Sequence, residues 1–199
     1  MVHQHGQSGE RSPRAGATRD APPAAAAAVR PATGAARPLL LVDVDGVLSL
    51  FGFDTTDPPP GSFHAFEGIP HFISAHAGEQ LRALAEHFEL VWASGWEERA
   101  EEHLPSLLGL PTDIPYLRFA RDSTPGASLR AHWKLDAIDA YAGPRALAWV
   151  DDAFNDACLG WAAQRAAPTL LVATEPAIGL TATHAAELAH WASGLGRST

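Results

Sequence analysis

LLLVDVDGVLSLFG, residues 39–52, runs four aliphatic side chains straight into two aspartates one residue apart. The apolar run reads as a strand buried on both faces of a sheet. Asp43 and Asp45 at its end add nothing to a core and repel one another, so they ask for a cation or a reaction between them. Gly46 suits a tight turn that lifts both carboxylates clear of the strand.

The rest of the chain limits what that chemistry can be. With 199 residues, 46% of them hydrophobic, the chain can bury one substantial core. No apolar run approaches the roughly 18 residues needed to span a bilayer, and APPAAAAAVRP lacks the leucine-rich centre of a signal segment. The expectation is a cytoplasmic protein without a membrane partner and with no obligate protein partner in evidence. The single cysteine, Cys158, excludes an internal disulfide and a cysteine-built zinc site, and its apolar neighbours make it a buried structural thiol.

Composition shifts near residue 38. Residues 1–37 are Ala, Pro, Gly, Ser and Arg with almost no large apolar side chain, the composition of a disordered tail. They hold five arginines against Glu10 and Asp20, net +3, which leaves nine basic and 21 acidic groups, net −12, on residues 38–199. An acidic body does not offer a broad nucleic-acid surface, although the basic tail could touch a polyanion weakly.

From residue 38 onward, strand-like and helix-like segments alternate. PLLLVDV (38–44), ELVWAS (89–94), IPYLRF (114–119), ALAWVD (146–151) and PTLLVA (168–173) are five short apolar runs. Between them Leu81, Leu84, Ala85 and Phe88 recur at helical spacing, and WEERAEEHL puts four glutamates near a helix start, where the dipole favours them. Further helices are expected around 134–142, 154–166 and 183–193. The alternation predicts an α/β fold, a Rossmann-like parallel sheet of about five strands flanked by helices, with ligands at the carboxyl ends of the strands.

Asp43 and Asp45 end the first strand, Ser94 the second, and Asp151 and Asp152 the fourth, with Asp156 four residues on. Carboxylates gathered on one rim repel unless a cation neutralises them, and hard oxygen ligands describe Mg²⁺ better than zinc. A calcium loop of the EF-hand kind is excluded by Val47 and Leu48, which stand where further oxygen ligands are needed. The ten histidines form no metal set; His64, His71 and His76 fall in a loop-rich stretch and are expected to be exposed or structurally satisfied.

DVDGVL (43–48), LVWASGW (90–96), Lys134 and WVDDAFND (149–156) resemble, in order and spacing, the four motifs of the haloacid dehalogenase-like (HAD) hydrolase superfamily. Within it, the chain is similar to small single-domain members related to the HAD modules of bacterial RNA repair proteins. The resemblance implies a Mg²⁺-dependent phosphatase. Asp43 would be the nucleophile and Asp45 the general acid and base, with its carbonyl also on the metal. Ser94 and the Gly95 amide would hold the phosphoryl oxygens, and Lys134 would contact the phosphoryl group and Asp43. Asp43 and Asp152 would hold Mg²⁺, with Asp151 or Asp156 on its waters. Trp96 or Trp133 would stack on a substrate base. Lys134 is also the only lysine among 14 basic residues, as expected where a compact ammonium must approach two anions from one side.

In residues 47–76, SFHAFEGIPHFIS (62–74) alternates around EGIP like a short hairpin, which makes a flap and no large cap domain. An open site favours a phosphate on a large or extended substrate, such as a polynucleotide end. Two other classes stand beside this reading: a non-catalytic HAD-fold module that binds nucleic acid or protein, and carbon–halogen hydrolysis. An acid at Asp45 favours phosphoryl transfer, because a leaving alkoxide needs a proton and a halide does not.

Overall fold

In the computed structural model, which describes residues 37–119 and 131–195, the elements follow one another as β1 (Leu39–Val42), β2 (Ser49–Leu50), β3 (Gly61–Phe66), β4 (Ile69–Ser74), α1 (Ala75–Leu84), β5 (Glu89–Trp92), α2 (Glu98–Leu108), a 3-10 turn (Ala131–Lys134), α3 (Leu135–Ala142), β6 (Leu147–Asp151), α4 (Asp156–Gln164), β7 (Thr169–Ala173) and α5 (Ala182–Leu195). The main sheet has the order β5-β1-β6-β7, and every pairing in it is parallel. The expected tail lies outside the described residues except for Arg37, whose guanidinium donates to the Ala85 carbonyl at 2.8 Å. Among the described residues no helix is long and apolar enough to cross a membrane.

The aliphatic run of β1 is buried along its whole length because it serves two cores at once. Leu40 and Val42 pack with Ala77, Leu81, Leu104 and Leu188 of α1, α2 and α5, while Leu39 and Leu41 pack with Ile138, Trp149 and Cys158 on the α3 and α4 side. The two-residue alternation of a strand thus distributes four neighbours between two layers. Each fully buried leucine contributes about 1.5–3 kcal/mol, so β1 holds the three layers in one register. Helix starts follow their caps: Ser74 accepts from the Ala77 amide at 3.1 Å to open α1, and Asn155 accepts from Ala157 at 3.1 Å and Cys158 at 3.2 Å to open α4.

Four of the five expected strands form. Residues 114–119 instead make a single parallel bridge, Trp92 to Tyr116, with Trp92 N donating to Pro115 O at 2.8 Å and Leu117 N to Trp92 O at 2.9 Å. Pro115 has no N–H to give a ladder, so the segment stays at the edge while its apolar side chains still enter the core. The expected hairpin is β3 and β4, and β2 joins it as a second, antiparallel sheet in the order β2-β4-β3. Its turn is Glu67-Gly68, both at positive φ (50° and 82°), as a two-residue type I′ turn requires; Ile69 and Pro70 already belong to β4.

The segment after β7 braces the loop after β1. Leu180 N donates to Val47 O at 3.0 Å and Phe51 N to Pro176 O at 3.1 Å, and the Thr174 hydroxyl donates to Gly46 O at 2.9 Å. Gly179 makes this approach possible: it sits at φ +73°, and a Cβ there would overlap the Val47 carbonyl oxygen. Gly179→Ala is therefore expected to lose roughly 1–3 kcal/mol of stability. Urea unfolding measures it, and a variant as stable as the parent would show that the brace is not tightly packed.

Candidate active site

Three strand ends of the main sheet and one 3-10 turn meet above β1. Directly after β1 the chain closes into a small loop in which the Val44 carbonyl accepts from the amides of Val47, Leu48 and Ser49 at 3.3, 2.9 and 2.9 Å, and Gly46 N donates to Ser49 O at 2.8 Å. Val44, Val47 and Leu48 are fully buried and pin this loop from below. Gly46 takes φ +72°, and a Cβ on it would overlap the Asp152 carboxylate, so only glycine lets the end of β6 come this close.

Asp43 and Asp45 consequently face different neighbours. The Asp43 carboxylate is buried; Oδ1 accepts from the Val44 amide at 2.8 Å, and Oδ2 lies 2.7 Å from Lys134 Nζ. The same ammonium lies 2.7 Å from Asp151 Oδ2, while Asp151 Oδ1 accepts from the Ala153 amide at 2.9 Å. Lys134 is only 3% exposed and Asp151 is fully buried. Burial by itself would pull the Lys134 ammonium down, but Asp43 and Asp151 outweigh it and hold its pKa above the ordinary value. Asp151 is pushed up to about 6, first by burial and then by the charge of Asp43, against the pull of Lys134. Asp152, half-buried, is raised by burial and by Asp43.

Asp45 turns away from this cluster. Its Oδ2 accepts from the Trp96 indole N–H at 2.9 Å, its Oδ1 lies 3.6 Å from His71 Nδ1, and half of the side chain is exposed. Burial raises its pKa and the Trp96 hydrogen bond opposes the rise. Ser94, buried at the turn between β5 and α2, accepts from the Trp96 amide at 3.4 Å, and Gly95 lies exposed beside it with Trp133 nearby.

The described residues hold one group of side chains that could grip a cation: Asp43, Asp151 and Asp152 offer carboxylate oxygens all within 4.8 Å of one another. Three hard oxygen donors, two of them with pKa values raised partly by mutual repulsion, fit a magnesium ion. Asp156, expected on the waters of the metal, stands outside this group, exposed in the first turn of α4. The Asp45 carboxylate also lies outside the group, its direction set by Trp96. Sequence reasoning missed two contacts. Lys134 pairs with Asp151 as well as Asp43, and His71, expected to be exposed or structurally satisfied in a loop-rich stretch, lies in β4 and shares a 3.1 Å hydrogen bond with Ser49 Oγ beside Asp45. The signal for His71 was the hairpin register, which sets Phe72 opposite Leu50 and so draws its neighbour to the mouth of the loop.

The family model described as "HAD domain in Swiss Army Knife RNA repair proteins" matches residues 39–185. Among solved structures the chain is similar to a hypothetical protein from Xanthomonas campestris, at 14% identity and a TM-score of 0.41, over 82% of this chain and 89% of that one. No functionally curated protein matches.

The raised pKa of Asp151 fixes the sign of a pH effect. A carboxyl that holds its proton more tightly folded than unfolded contributes stability that is fully present below the ordinary 3.8 and lost as pH rises through about 6. In chelator, the stability of the parent relative to Asp151→Asn should therefore fall between about pH 4 and pH 7. Urea unfolding at a series of pH values checks it; a constant or rising difference would contradict the assignment.

Proposed function

This chain belongs to the family of HAD domains found in Swiss Army Knife RNA repair proteins, and from that premise we propose that it is a magnesium-dependent phosphoric monoester hydrolase working through an aspartyl-phosphate on Asp43. The observation that carries the reading is the division of labour between two aspartates one residue apart. Asp43 is buried against an ammonium at 2.7 Å, whereas Asp45 is half-exposed and oriented by an indole N–H at 2.9 Å.

An oxygen of Asp43 attacks phosphorus and the ester oxygen leaves, taking a proton from Asp45. Burial raises the pKa of Asp45, which suits a group that must hold a proton before it gives one. Asp45 then removes a proton from the water that cleaves the aspartyl-phosphate and so returns to its starting state. Lys134, fixed between Asp43 and Asp151, sets positive charge beside the bond that forms. Ser94 and the Gly95 amide stand at the end of β5 to hold phosphoryl oxygens. Asp43 and Asp152 would hold the magnesium directly, with Asp151 of the same carboxylate group on its waters. The ion supplies charge neutralisation for a dianionic phosphate among three carboxylates. A small three-stranded flap over the site supports a large or extended substrate, a polynucleotide end in the cytoplasm being the case we favour.

The full chain is expected to hydrolyse an aryl phosphate with Mg²⁺ and to stop when the metal is chelated. Asp43→Asn should lose at least about 10³-fold in turnover with an unchanged circular dichroism spectrum, and Lys134→Arg on the order of 10²-fold. Undiminished activity in chelator would remove the metal from the mechanism, and an active Asp43→Asn would move the nucleophile elsewhere.

A further inference from the structure

If Asp45 gives its proton to the leaving oxygen, the leaving group must lie on the side of Asp45 away from Asp43. A cleft of about 250 Å³ that includes Asp45 and Gly95, but not Asp43, in its lining opens there. It is thus continuous with the groups that would touch the reacting phosphate. Its walls come from two separate elements. The hairpin brings Phe66 and Ile69 from either side of the Glu67-Gly68 turn, and the segment entering α2 brings Trp96 and Arg99. Trp96 is packed edge-on to Phe66, ring centres 5.3 Å apart, and Ile69 is 57% exposed with nothing over it among the described residues.

The chemistry of these walls is narrow. A sugar needs several donors and acceptors around its hydroxyls; besides Asp45 the cleft offers the His71 imidazole, engaged with Ser49 and Asp45 through Nδ1, apolar surface and one guanidinium. Arg99 is held on the rim: its Nε and Nη2 point to the carbonyls of Trp96 and Gly95 at 3.3 and 3.4 Å, and Nη1 donates to Glu67 at 2.9 Å. That ion pair is exposed on both sides, so it is worth little and gives way readily to a ligand. A flat ring between apolar walls, with an acceptor edge toward a guanidinium, describes guanine, whose O6 and N7 pair with arginine; adenine presents an amino donor at that edge and a phenol ring has no such edge. The acidic body argues against long backbone contacts and for recognition of a single base.

We propose that the cleft between the hairpin tip and α2, formed by Phe66, Ile69, Trp96 and Arg99 beside Asp45, is a leaving-group subsite that selects a guanine nucleotide. The assignment rests on the phosphatase reading above. The test compares the full chain, with Mg²⁺, on guanosine 5′-monophosphate and on ribose 5-phosphate, which differ by the base alone. The nucleotide should have a kcat/KM about tenfold higher or more. Phe66→Leu, which keeps volume but removes the ring, Ile69→Ala on the exposed wall and Arg99→Gln should each narrow that ratio severalfold. Equal hydrolysis of the two substrates, a ratio unchanged in all three variants, or faster hydrolysis of a phosphotyrosine peptide than of the nucleotide would overturn the subsite. Calorimetric binding of the same pair to Asp43→Asn separates the two levels. Tighter binding of the nucleotide there, with no turnover by the parent, would uphold the subsite and sink the phosphatase reading, whereas metal-dependent turnover without preference for the base would sink the subsite alone.

Discussion

The ammonium of Lys134, held 2.7 Å from both Asp43 and Asp151 in a nearly dry setting, is the interaction on which the site depends. Without it two buried carboxylates would face each other at the ends of adjacent strands, and removing one member of such a cluster typically costs about 3–5 kcal/mol. A guanidinium in its place would be too broad to approach both oxygens from between. The same contact fixes the position of the 3-10 turn relative to β1 and β6, so the electrostatics of the site and the packing of α3 are set by one side chain.

The loop from Asp43 to Ser49 turns that constraint into two different aspartates. Its three amides converge on the Val44 carbonyl, and its position is secured from the far side by Thr174, Pro176 and Leu180. In strand geometry Asp43 and Asp45 would share a face; because the chain leaves β1 after Val42 and closes into a small, pinned loop, Asp43 turns toward Lys134 and Asp45 toward Trp96. Neighbouring carboxylates thereby acquire separate surroundings, which is what separate chemical roles require.

Much of this could be read from residues alone, and the exceptions have physical causes. β1 and β6 were legible because both faces of each are buried, so the apolar run is continuous. Lys134 stood out as the sole lysine. The segment 114–119 has an equally apolar composition, but composition does not register that Pro115 lacks a donor and faces the one strand it would have to join. Asp156, placed on the metal's waters by its spacing, is the first residue of α4 and stands outside the three-carboxylate group, a position that spacing along the chain does not give. His71 and the second partner of Lys134 were hidden because both depend on the register between distant segments, which no local pattern encodes.

The single bridge between Trp92 and Tyr116 has a consequence for the behaviour of the protein in a crowded solution. β5 is an outer strand of the main sheet, and an outer strand with open amides and carbonyls invites another chain to extend it. Here Trp92 already gives its amide to Pro115 and its carbonyl to Leu117, and the proline offers no donor in return. The residue that denied the sheet a fifth strand also leaves that border a poor template for addition by a second molecule.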